Sequence, residues 1–100
     1  MTAESVSDLL KILGELIKRA RAKRMSQAEF SLRVGCSEKT ISRMELGQAV
    51  NSETLFQALE MLDLLDDYIL TAERQLRLQA SSPTRHRTDS ATEEDFPNDF

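Results

Sequence analysis

The feature that most constrains this chain is a connection too short to be anything but a tight turn. Only Gly35 and Cys36 lie between Val34 and Ser37, and on either side stands a short segment with helical spacing. Ser26 opens the first segment as an N-cap, with Glu29 three residues later as half of a capping box. It runs to about Val34, with Phe30 and Val34 facing inward and Leu32 as a further candidate. Ser37 opens the second, which runs to about Leu46 with Ile41 and Met44 inward and Gly47 as its stop. Gly35 suits the left-handed conformation in which helices commonly end. It lies eight residues after Gln27, with Ile41 six residues further on and Met44 three beyond that. The spacing predicts two short helices that cross steeply and lock through Phe30, Val34, Ile41 and Met44, with the small Ser31 allowing close approach. The second helix is then held from behind and free in front.

The remaining segments also read as helices. Leu9, Leu10, Leu13, Leu16, Ile17 and Ala20 form a stripe that predicts a first helix from about Ser7, as N-cap, to Arg24. Gly14 weakens it by about 1 kcal/mol relative to alanine. A fourth helix opens at Ser52 and buries Leu55, Phe56, Leu59 and Leu62. A fifth covers about Leu65 to Gln79, where Leu65, Ile69, Ala72 and Leu76 recur at spacings of four, three and four. This last stripe could finish the domain's own core; the preferred reading is the seam of a homodimer, since small domains are marginal alone. No stretch alternates as a strand does, so the expected fold is all-α, with five helices in a compact domain over residues 1–79. From Ala80 the composition turns to Ser, Thr, Asp and Glu without apolar periodicity. Residues 80–100 are expected to form a disordered acidic tail, in which Phe96 and Phe100 are either an inert end or anchors for a protein partner.

Charge gives the next constraint. The net charge of −4 argues against a nucleic-acid partner, but its distribution reverses that reading. From Lys11 to Arg43 nine basic residues face three acids, whereas Glu45 to Glu73 holds seven acids and no base, and five more acids follow from Asp89. A basic first half on an acidic chain is the footprint of a phosphate-binding face. On the second short helix Arg43 and Lys39 have the chemistry to bind guanine O6 and N7, and Glu38 to accept from cytosine N4, so this helix suits the major groove.

Gln27-Ala28-Glu29, Val34-Gly35, Thr40-Ile41-Ser42-Arg43, Glu45 and Gly47 together resemble the lambda-repressor-like, or XRE-family, helix-turn-helix, over about Leu13 to Leu65. Within that family the run Leu13-Gly14-Glu15-Leu16-Ile17-Lys18-Arg19-Ala20-Arg21 and the ending Leu64-Leu65-Asp66-Asp67 look like HipB-like antitoxins. The resemblance implies a DNA-binding repressor, dimeric on a palindromic operator of double-stranded DNA. It also implies an antitoxin that autorepresses a toxin–antitoxin operon and binds a HipA-like toxin. Gln27 would contact a phosphate; Ser37, Glu38, Lys39 and Arg43 would face base edges; Thr40 and Ser42 would reach phosphate or base. Arg19 and Lys23 on the first helix are candidates to lie near phosphates. Two positions depart from the family's pattern. Arg24 stands where glycine is usual, and Ala20 stands where an arginine commonly pairs with the residue matching Glu45. The sequence leaves open whether Arg19 or Arg21 takes over that pairing.

Rival readings are a stand-alone regulator of the same family without a toxin, and a protein-interaction adaptor that keeps the fold without the DNA contacts. The overall acidity favours the adaptor and the basic half opposes it. An enzyme is not expected: no Ser/His/Asp set, metal-spaced cluster or phosphate loop appears, and neither cofactor nor metal is implied. Cys36 reads as a small turn residue, and His86 falls in the tail. With a single cysteine there is no disulfide within the chain. No apolar run approaches the roughly 18–20 residues of a membrane span, and no signal peptide is recognisable. A cytoplasmic protein is the expectation.

Overall fold

The computed structural model describes residues 2–81, with side chains from Ser5 to Ala80. Among the described residues there are five helices and no strand: α1 (Thr2–Ala22), α2 (Gln27–Val34), α3 (Glu38–Glu45), α4 (Ser52–Met61) and α5 (Leu65–Ser81). The chain divides into two compact units, residues 1–69 and 70–100. The first holds α1 to α4 and the opening of α5. Of the second, residues 70–81 are described, and they continue the helix. Of the tail expected from Ala80, the first two residues, Ala80 and Ser81, instead close α5, and the remainder, with Phe96 and Phe100, lies outside the described residues.

Local chemistry explains the short elements. Ser26 caps α2, its hydroxyl accepting from the Glu29 amide at 3.1 Å. Gly35 ends the helix at φ 91°, and the amides of Gly35 and Cys36 both donate to the Ser31 carbonyl. Ser37 caps α3 in the same way through the Thr40 amide. α4 opens at Ser52, as expected, and is capped by Asn51, whose carboxamide oxygen accepts from the amides of both Glu53 and Thr54. Ser7 is no cap; α1 begins five residues earlier, at Thr2, and passes through it.

The core of the first unit is Ile17, Phe30, Val34, Ile41, Met44, Ala58, Leu59 and Leu62, closed at its edges by Ala20, Met25, Cys36, Val50, Leu55, Leu64 and Leu65. α3 packs against both α1 and α2, and α2 against α4. Three residues of the expected inward stripes are exposed instead. Leu32 is 82% exposed, since it lies about 200° round α2 from Phe30. Phe56 is half exposed, on the flank of an α4 face centred on Leu55, Ala58, Leu59 and Leu62. Leu9 is exposed because burial on α1 begins only at Leu13.

Gly14 explains how α1 and α3 approach. A β-carbon there would lie 2.5 Å from the Met44 carbonyl oxygen and 2.9 Å from that of Glu45. Gly47, at φ 81°, meets α1 from the other side: a β-carbon on it would fall 2.8 Å from Lys11 Cγ and 2.9 Å from Lys11 Cα. Two absent side chains thus allow the backbone of α1 to touch the end of α3.

Candidate nucleic-acid interface

The back of α3 is fixed by Ile41 and Met44 in the core and by Glu45, a carboxylate only 7% exposed. Burying that charge requires a partner, and Arg21 supplies it. Arg21 Nε donates to Glu45 Oε2 at 2.7 Å and Nη2 to Oε1 at 3.0 Å, while Nη1 donates to the Met25 carbonyl oxygen. The hydrogen bond to Glu45 holds the Arg21 guanidinium above its ordinary pKa, against the opposing effect of burial. Of the two cations left open by the sequence, Arg21 therefore takes the pairing; Arg19 bonds Glu15 on the surface instead. Ala20 packs at the edge of the core.

Gln27 joins the same network, its amide nitrogen donating to Glu45 Oε1 at 2.9 Å. A carboxamide nitrogen carries two N–H groups. One is used by Glu45, which orients the side chain, and the second remains for an outside acceptor at the start of α2. The family resemblance implied a phosphate contact for Gln27; its tie to Glu45 was not anticipated.

The front of α3 carries the remaining predicted residues. Glu38, Lys39 and Arg43 are exposed, and Thr40 and Ser42 are half-buried. The hydroxyls of Ser37 and Thr40 lie 2.9 Å apart and bond each other at the N-terminus of α3. Arg43 Nη2 donates to the Ala49 carbonyl oxygen at 3.1 Å, and the Arg43 carbonyl accepts from the Gln48 amide, so Arg43 braces the loop from α3 to α4. Beside it a shallow groove is lined by Cys36, Thr40, Arg43, Val50, Asn51 and Thr54. Burial pushes the Cys36 thiol above its ordinary pKa, as suits a packed turn residue rather than a reactive one.

Arg24, where the family pattern has glycine, occupies the turn after α1 without a left-handed backbone. Its guanidinium reaches the Met61 carbonyl oxygen at 3.4 Å and Asp63 Oδ2 at 3.3 Å. Asp63 itself has φ 61° in the turn after α4, an uncommon conformation that sequence reasoning missed. Neither the Arg24–Asp63 link nor the Asn51 cap left a signal beyond residue type.

The stripe assigned to a partner subunit lies on α5. Leu65 is half-buried against the core of the first unit, Ile69 is 44% exposed, and Ala72 and Leu76 are exposed. Among the described residues no cluster of His, Cys, Asp and Glu could hold a metal ion, and no helix is long and apolar enough to cross a membrane.

A family model described as helix-turn-helix matches residues 17–69, more than half of the chain. No curated protein and no solved structure gives a significant match.

Proposed function

This chain belongs to the XRE-type helix-turn-helix family of DNA-binding regulators, and from that premise we propose that it is a sequence-specific transcriptional repressor. Its mechanism is occlusion. Two copies place their α3 helices in successive major-groove turns of a palindromic operator and exclude the transcription machinery, without covalent chemistry. The observation that carries this reading is the division of α3. Ile41, Met44 and Glu45 lock its back, while Glu38, Lys39 and Arg43 are presented in front. Ser37, Thr40 and Ser42 support that face, and Gln27 fixes the docking on a phosphate. The dimer seam is α5, through Leu65, Ile69, Ala72 and Leu76. A mobility-shift titration on the chain's own promoter at two salt concentrations tests the reading. Binding that is both sequence-dependent and weakened by salt is expected; no binding would leave the adaptor reading in its place.

The finer assignment is an antitoxin that represses its own operon and captures a HipA-like toxin in the cytoplasm. Its supports are the Leu13–Arg21 run, the Leu64-Leu65-Asp66-Asp67 ending and the acidic Phe96- and Phe100-bearing terminus. A chain ending at Ala80 is expected to bind operator at least as well as the full chain and its toxin more weakly. Calorimetry against the product of the adjacent gene checks this. Equal toxin affinity for both chains would remove the tail from the reading, and no toxin affinity in either would leave a stand-alone regulator.

A further inference from the structure

We propose that Glu38 is the specificity filter of α3: its carboxylate selects a cytosine in the major groove and weakens binding to other duplexes. The proposal rests on the DNA-binding reading above. Four carboxylates, Glu15, Glu29, Glu38 and Glu45, lie between Lys11 and Leu46. Three are neutralised within the fold: Glu15 by Arg19 at 2.7 Å, Glu29 by Arg33 at 2.8 Å and Glu45 by Arg21 at 2.7 Å. Glu38 is exposed, and among the described residues it has neither an ion-pair partner nor a side-chain hydrogen bond. The N-cap of α3 does not use it either, since Ser37 accepts the Thr40 amide and the two hydroxyls bond each other. The one unpaired carboxylate of the basic half therefore stands beside Lys39 on the face that approaches DNA.

A bare carboxylate on such a surface is repelled by every phosphate it nears. Only a donor on a base edge offsets that repulsion. In the major groove the donors are the exocyclic amines of adenine and cytosine. The adenine amine is flanked on both sides by acceptors, its own N7 and the O4 of the paired thymine. The cytosine amine has an acceptor, guanine O6, on one side only. An acceptor-only group therefore prefers cytosine. A neutral amide at the same place both donates and accepts, and fits adenine N7 and N6 instead.

The rival role for Glu38 is stabilisation of the first turn of α3 through the helix dipole. The experiment separates the two by enriching binding sites from a random-sequence duplex library with the full chain, Glu38→Gln and Glu38→Ala, alongside thermal melts. The wild type is expected to enrich sites with cytosine at one position of each half-site, by about tenfold or more over other bases. Glu38→Gln is expected to change that position to adenine and leave the others intact, and Glu38→Ala to make it indifferent. Both variants should bind random duplex several-fold more tightly. Identical enriched sites for all three proteins, with a lowered melting temperature in the variants, would assign Glu38 to helix stability and overturn the proposal alone. A wild type that enriches nothing would overturn the DNA-binding reading with it.

Discussion

A methyl group added at Gly14 would improve the helix propensity of α1 by about 1 kcal/mol, yet Gly14→Ala is expected to destabilise the protein by about 2 kcal/mol in urea unfolding. The new carbon would press on the carbonyl oxygens of Met44 and Glu45, backbone atoms with no freedom to move aside. The sequence disclosed only the local cost of this glycine; its benefit depends on a contact some thirty positions away, which no local pattern encodes. Arg21 teaches the same lesson differently. The need for a cation opposite Glu45 was legible, but its position was not, because Arg19 and Arg21 differ only in which side of α1 they occupy. Glu45→Ala should cost about 3 kcal/mol by leaving the Arg21 guanidinium desolvated and unpaired, as a denaturation midpoint shift at unchanged slope would report. On the Arg21 side this contribution has no neutral-pH dependence. A raised pKa keeps the group charged, and the stabilisation is lost only as pH climbs through the elevated value.

At the scale of elements, the turn between α2 and α3 was fully readable. Gly35, the Ser26 and Ser37 caps and the Phe30, Val34, Ile41 and Met44 set all follow from spacing, and each is realised. What failed was the choice of face where apolar residues are adjacent or surplus. Phe56 is compatible with helical spacing, and only the neighbouring elements decide which stripe is covered, whereas Leu32, two residues from both Phe30 and Val34, lies on the far side by spacing alone. The placement of Arg43 was equally hidden, for its bond to Ala49 depends on how the loop after Gly47 returns. Arg43→Ala is expected to weaken operator binding by about 1–3 kcal/mol and to relax preference at one base pair of each half-site. Gln27→Ala should weaken operator and random duplex about equally, since a phosphate contact carries no sequence information. Competitive shift assays on both variants distinguish the roles. Unchanged affinity for Arg43→Ala, with its fold intact by circular dichroism, would remove it from the reading face.

For the molecule as a whole, the proposed assembly rests on what the core leaves uncovered. Ile69 and Leu76 remain exposed on α5, and a second copy is the proposed cover. In that dimer the two α3 helices would stand about 34 Å apart, one turn of DNA. Ile69→Glu is expected to yield a monomer in sedimentation and to bind operator far more weakly, because an unpaired carboxylate would be driven into an apolar seam. A wild-type monomer at micromolar concentration would refute the seam. Five-helix architecture was legible from periodicity alone, whereas no periodicity states whether the α5 stripe finishes the domain's own core or meets a second copy. The separation of α3 into two faces also bears on retargeting. Ser37 caps the helix and Ile41, Met44 and Glu45 anchor it, so substitutions at Glu38, Lys39 and Arg43 fall outside the packed interior. On the proposed DNA-binding reading, a new target site therefore requires only exchanges on this outer face, with the packed scaffold beneath it left as it is.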